Sequence, residues 1–490
     1  MNTKTKESFP PILAYIPVGF LSIKDIIEGT RLNPDRMRVL LHQFFLRRLV
    51  DSMNDETVQT DMYKEGWVSL SSVILHKVAT ENYKKYLNLL EEKGFIVARR
   101  NEDTGAMKYA QHGSFARYKI VDKFLRSPSS LKHYRKELVT DRCTLKAVRK
   151  VHDTFHAFRA DLRHLEPEEI HQSLIAMTNN IRFNVEKAEL FIEGITTGNV
   201  IFPPTRSGHN RNHADMLLFL DAWNSGYYRK YQIDRYGERL HSGISKLWKP
   251  LRNFIYFKDE PDAELITLDV ANSQPFFSSI AIDSNIIEQL APEFTPVIPY
   301  LQGCSNTEDF KFFAELCCNG KIYEHFQQLT NSTREEAKGQ VFYLMFSPNR
   351  RNSIREGFYK NAKRLFKQAF PNVDRCFRNI KSLSEQELLF IKNVYVNYYG
   401  GFEGRRSYHK NLSCLMQRLE SRIVLKHIAP KLIKAGITPF TTIHDSFLLK
   451  KEHEIQVRVI IEKEFTKLGV KPPTIKTENL GVKSQKIATI

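Results

Sequence analysis

Cysteine is scarce in this sequence. Six residues, Cys143, Cys304, Cys317, Cys318, Cys376 and Cys414, are spread over 490 positions, and no two are spaced as CxxC. That argues against a structural zinc site and a disulfide-stapled secreted domain, and for a reducing compartment. No apolar run is long enough to cross a bilayer, and the opening MNTKTKESFP has no signal-peptide core. A soluble, cytoplasmic protein is the expectation. Low-complexity segments and internal repeats are also missing. Acids are in deficit, with 55 Asp and Glu against 73 Lys and Arg, which leaves a net charge of +18. Such an excess suits a polyanionic partner, nucleic acid first. The length allows about two to four domains and a large core.

Residues 23–32 and 37–50 read as helices. Residues 66–120 form a small unit. Thr80 is expected to cap a helix over 81–93, with Tyr83, Tyr86, Leu87 and Leu90 on one face and Gly94 ending it. Residues 95–100 and 117–120 alternate like two strands. Helix followed by a two-stranded wing resembles a winged helix, with Arg99, Arg100 and Lys108 near the wing. Residues 121–230 read mainly as helix, interrupted at 199–212 by a loop rich in Pro and Gly.

Residues 333–346 read TREEAKGQVFYLMF, and Arg334, Lys338, Phe342 and Phe346 recur every four positions. On a helix that spacing lays the four side chains along one stripe. Thr333 is the expected N-cap, Glu335 and Glu336 suit the positive end of the helix, and Pro348 stops it. Two cations followed by two rings can hold a triphosphate and pack on a base and a sugar. An ordinary amphipathic helix with a charged first half is the other reading.

Residues 265–280 read LITLDVANSQPFFSSI. Positions 265–270 look like a buried strand that delivers Asp269 to a cleft; 273–275 are expected to break it, and 276–282 to continue as helix or turn. Residues 441–450, TTIHDSFLLK, read as a hairpin with His444 and Asp445 at its tip. A buried acid is costly without a partner. Two acids at strand ends relieve that cost by binding Mg²⁺, with substrate phosphates completing the shell. Residues 236–242, YGERLHS, followed by Arg252, read as a polar loop.

In this order and spacing, these segments resemble the polymerase domain of family A DNA polymerases and of the related phage-type single-subunit RNA polymerases, over residues 230–490. The stripe is similar to the fingers helix, whose pattern is R-x3-K-x3-F-x3-Y. Asp269 resembles the first palm aspartate, and His444–Asp445 the His-Asp of the second palm motif. Residues 237–242 are similar to T-G-R-L-S-S, with Arg239 at its arginine. Residues 413–420, SCLMQRLE, loosely resemble the helix bearing the template-side glutamine, here Gln417.

The resemblance implies an α+β, right-hand polymerase with an antiparallel palm sheet and largely helical fingers and thumb. The implied divisions are an N-terminal helical and winged-helix-like region over 1–120, a thumb-like region over 121–230 and the palm and fingers over 231–490. Asp269 and Asp445 would hold two Mg²⁺ ions. Arg334 and Lys338 would bind the triphosphate, Phe342 and Phe346 would pack on sugar and base, Arg239 and Gln417 would touch the minor groove, and His444 would orient the primer end. The implied partners are primer–template DNA, nucleoside triphosphates and replication accessory proteins, in a phage or other mobile element.

Departures from the pattern bear on the sugar. The family has Tyr where Phe346 stands and Gly where Ser347 stands. The Glu that excludes a 2′-hydroxyl is replaced by Gln274 or by Phe276, depending on the alignment. The second motif reads HDSF over 444–447, as in the RNA polymerases. Phe346 has no hydroxyl to recognise a ribose, which favours a deoxyribose substrate or weak discrimination; Gln274 can still pack as a gate, and DNA synthesis is the expectation. The first 200 residues contain no Asp-x-Glu, the pair that opens the superfamily's exonuclease site, so proofreading is expected to be missing. A single-subunit RNA polymerase or primase is the alternative. A non-catalytic nucleic-acid-binding replication protein is the second.

Overall fold

A computed structural model describes residues 12–52, 65–80, 82–107, 115–124, 134–148, 165–197, 213–226, 229, 231–349, 356–383 and 408–481. Strand β1 (Ile12–Pro17) leads into helices Ile23–Ile26 and Pro34–Ser52. Strands β2 (Val68–Ser71), β3 (Ile96–Ala98) and β4 (Phe115–Ile120) form an antiparallel sheet in the order β2-β4-β3. Helices Ser72–Ala79 and Tyr83–Glu92 lie between β2 and β3 in sequence. Tyr86, Leu87 and Leu90 form the buried face of the second helix, as their spacing predicts.

Thr80 does not cap that helix. It stands at φ 61° after the preceding one, its hydroxyl donates to the Ala79 carbonyl at 2.6 Å, and Asn82 takes the N-cap position. Arg100 pairs with Glu91 at 2.7 Å; Lys108 lies outside the described residues.

Residues 121–230 are less purely helical than their composition suggests. Strand β5 (Tyr134–Val139) pairs antiparallel with β1, Ile12 opposite Val139, and β6 (Ile181–Phe183) separates helices Glu169–Asn179 and Val185–Thr196. A partner strand more than a hundred residues away decides β5, which a local reading does not see. The 199–212 loop lies outside the described residues, and helix His213–Asn224 follows it. Trp223 on that helix is fully buried and donates from Nε1 to the Ile181 carbonyl at 3.0 Å.

Residues 236–242 are not a plain loop. Strands β7 (Tyr231–Ile233) and β8 (Leu240–Ser242) close a hairpin, and β9 (Ile255–Phe257) pairs back with β6. The largest sheet among the described residues has four antiparallel strands: β10 (Leu265–Val270), β11 (Thr441–Ile443), β12 (Ser446–Lys450) and β13 (Ile475–Asn479), in the order β11-β12-β10-β13. Side-chain alternation explains why β10 is central. Ile266, Leu268 and Val270 enter one core, together with Phe447 and Leu449 of β12. Leu265 enters a second core on the other face, with Leu448, Ile443 and Trp223. Helix Glu454–Lys467 closes the first face, where Phe465 meets Phe276 edge-on at 5.5 Å. Between β10 and β11 the described chain is chiefly helical, ending in helix Asn411–Arg422, a π-helical turn, Ile423–Ile428, and helix Ala429–Lys434. The class is mixed α+β.

Candidate functional site

The antiparallel register of β10 and β12 sets Asp269 opposite Ser446. Asp445 precedes Ser446 at the hairpin tip, so two acids far apart in sequence meet at one end of the sheet. The expected hairpin is present, and its tip is strained: His444 stands at φ 58°. Asn272, three residues after Asp269, stands at φ 51°. Left-handed backbone is uncommon outside glycine, though Asn and His tolerate it best. Residues 273–275 do not merely break the strand, because helix Ser273–Ile280 begins directly at Ser273. Pro275 fits its first turn, where the helix has no use for the missing N–H.

Asp269 is solvent-accessible yet surrounded by protein atoms. Restricted hydration, the neighbouring Asp445 charge and a hydrogen bond between the two side chains push its carboxyl up to about 7. Burial raises Asp445 as well, while the Ser273 hydroxyl and the Arg239 charge pull it the other way. Two carboxyls this close resist ionising together, and a divalent cation removes the conflict. The pair therefore fits Mg²⁺. Among the described residues no group of three or more His, Cys, Asp or Glu side chains is arranged for a metal. A pair of acids leaves the remaining positions to water and phosphate oxygens, as Mg²⁺ prefers.

Burial, then repulsion from the neighbouring Arg239, pulls His444 down to about 3, so its ring is neutral. The His241 ring lies 5.3 Å from it, edge to face, and His241 Nε2 sits 2.8 Å from Asp234 Oδ2. Asp234 also accepts the Gly237 N–H at 2.6 Å and the Arg239 N–H at 3.2 Å, which shapes the β7–β8 turn. Burial opposes its charge, but these donors hold Asp234 below the usual carboxylate range.

Arg239 donates Nε and Nη2 to the two carboxylate oxygens of Glu420, at 2.8 and 2.6 Å. Gln274 Nε2 donates to the same carboxylate at 2.8 Å. Helix Asn411–Arg422 is fastened to the turn elsewhere too. Arg418 Nε and Ser421 Oγ donate to the Tyr236 and Gly237 carbonyls, and Arg422 holds Glu238 through Nε and Nη2 at 2.8 and 2.6 Å. Gln417 packs against Gly237 so closely that a Cβ there would lie 2.7 Å from Gln417 Oε1. Thus Arg239, Gln274, Gln417, His444 and both acids belong to one neighbourhood.

The stripe forms as its spacing predicts. Helix Arg334–Phe346 opens with a capping box in which Thr333 and Glu336 bond reciprocally. Ala337, Gln340, Val341, Leu344 and Met345 are buried, while Arg334, Lys338, Phe342 and Phe346 are all half-buried on the remaining surface. The rings of Phe342 and Phe346 stack at 5.6 Å. Arg334 donates Nε to Glu324 at 2.9 Å and lies over the Tyr323 ring. The helix packs against Ser273–Ile280 and Asn411–Arg422, the two helices that carry Gln274 and Glu420.

Sequence reading assigned no role to Glu420, Asp234 or His241. Glu420 lies one helical turn from Gln417, and that spacing was the available signal. No protein-family model matches this chain, and no curated protein matches it.

Proposed function

We propose that the chain is a template-directed nucleotidyltransferase, a DNA-directed DNA polymerase of family A type without proofreading. The observation that carries the reading is the meeting of Asp269 and Asp445 across β10 and β12. In this reading the four-stranded sheet is the palm, the helices from 308 to 382 are the fingers and the helical part of 121–230 is the thumb. Asp269 and Asp445 would hold the Mg²⁺ ions, which supply activation of the primer 3′-hydroxyl and neutralisation of the leaving pyrophosphate.

The protein's own groups do the positioning. Arg334 and Lys338 offer positive charge to the triphosphate, and the rings of Phe342 and Phe346 offer a face to sugar and base. Arg239 and Gln417 face the minor groove at the primer end. His444, neutral through burial, orients the terminus without adding charge. Gln274 is anchored on Glu420 beside the sugar position.

Primer extension by the full-length chain with Mg²⁺ tests the reading. Deoxynucleotides should be incorporated in preference to ribonucleotides. Asp269→Ala and Asp445→Ala should each abolish extension while DNA binding persists, and normal extension by either variant would falsify the assignment. The HDSF tip favours a second reading, an RNA polymerase or primase; preferred ribonucleotide use, or synthesis without a primer, selects it. Binding with no Mg²⁺-dependent synthesis selects the non-catalytic reading instead.

A further inference from the structure

Glu420 is fully buried, yet it accepts three hydrogen bonds from two groups that the polymerase reading sets beside the substrates. Its partners come from distant parts of the chain. Arg239 closes the β7–β8 turn, 181 residues away, and Gln274 lies 146 residues away on the helix that follows Asp269. A buried carboxylate is costly unless its oxygens are satisfied by well-placed donors. Here Arg239 meets it edge-on, in the fork geometry that suits a carboxylate. That contact occupies the Nε and Nη2 edge of Arg239 and leaves Nη1 outside the fork. The third bond fixes the Gln274 amide, with Nε2 turned to Glu420 and Oε1 buried without a hydrogen-bond partner among the described residues.

We propose that Glu420 is a positioning residue that holds Arg239 and Gln274 as one unit, so that reading of the primer end and of the incoming sugar are coupled through a single carboxylate. The inference rests on the polymerase reading and adds a residue and a coupling to it. Glutamine in place of Glu420 keeps the shape but offers one acceptor oxygen where the site uses two, and turns an NH₂ group toward a guanidinium. Depending on which way the amide turns, either the Arg239 Nε–H or both the Arg239 Nη2–H and the Gln274 amide lose their acceptor, so the unit no longer holds as one.

The test uses the full-length chain and the variants E420Q, E420A, R239A and E420Q/R239A. Extension is measured from matched and mismatched primer ends, with deoxy- and ribonucleotides. In E420Q, kcat from a matched end should fall about tenfold or more while nucleotide KM stays within about twofold. The matched-to-mismatched ratio should fall as far as it does in R239A, the sugar preference should shift with it, and the double variant should lose nothing beyond R239A alone. E420A shows the larger loss if it folds; E420Q carries the test if it does not. The inference is overturned if E420Q only lowers the melting temperature and keeps both selectivity ratios, if the double variant is additive, or if E420Q does not fold. A wild-type chain that extends no primer removes the polymerase reading and this inference together, whereas an active wild type with an unaltered E420Q removes the inference alone.

Discussion

Lys381 donates its ammonium to the Leu344 carbonyl, at the C-terminal end of the Arg334–Phe346 helix, and to the Ser347 carbonyl beyond it. A cation is well placed against those carbonyls, but Lys381 is only 5% exposed. Burial, followed by repulsion from Lys363, pulls it from its ordinary value down to about 7. Between that value and roughly 10.4 the unfolded chain holds a proton that the folded chain lacks, so stability rises with pH across the window. Lys381→Met removes this dependence and leaves two carbonyls unmet. Wild type should therefore gain on the variant by a few kcal/mol between pH 7 and 10. Denaturant unfolding of both at pH 7, 8.5 and 10 measures the gap, and a constant gap refutes the argument.

The acid pair has the opposite sign. The Asp269 carboxyl is raised to about 7 in the fold, above its unfolded value, so its ionisation costs stability progressively as pH rises through that range. Asp269→Asn should melt above wild type at pH 8, and the advantage should shrink toward pH 5. Mg²⁺ should raise the wild-type melting temperature at pH 8, do so less at pH 6 where protons compete, and leave Asp269→Asn almost unmoved. Equal Mg²⁺ shifts in the two proteins would show that the pair does not hold the ion.

The capped stripe, the β10 strand and the acid-tipped hairpin were legible because each is encoded locally. Thr333 with Glu336, the alternation of residues 265–270, and His444–Asp445 between β-prone runs all lie within a dozen residues. The β1–β5 pairing and the β7–β8 hairpin were not legible. The first depends on a distant partner, and the second on Asp234, whose carboxylate gathers the Gly237 and Arg239 N–H groups. Glu420 was hidden for the same reason. A glutamate on a helix reads as surface, and only tertiary packing turns it onto Arg239.

Gly237 is required by contact rather than by backbone angle. A Cβ there would lie 2.7 Å from Gln417 Oε1 and 2.9 Å from Gln417 Cβ. The amide can swing aside, but the Gln417 Cβ is fixed to its helix, so the turn itself must move. Gly237→Ala should cost about 1–3 kcal/mol, as overpacking does. Trimming the neighbour in Gly237→Ala/Gln417→Ala relieves the amide contact and should recover part of the loss, which a double-mutant cycle in urea would measure. Strict additivity would mean that the two residues do not press on each other.

Arg334 sits between two claims on its charge. Glu324 takes its Nε at 2.9 Å, and the proposed triphosphate needs the same guanidinium. Both side chains are about two-fifths exposed, so the ion pair contributes at most ~1 kcal/mol to stability. Its influence should appear in binding instead. A carboxylate beside the guanidinium lowers the local positive potential, and removing it leaves the cation free for phosphate. Glu324→Ala should therefore lower nucleotide KM severalfold and change unfolding free energy by less than ~1 kcal/mol. Arg334→Ala should raise KM by about tenfold or more, with the primer–template dissociation constant unchanged. If Glu324→Ala raises KM instead, the carboxylate orients Arg334 for its ligand rather than competing with it. If Arg334→Ala leaves KM untouched, the stripe does not hold the triphosphate.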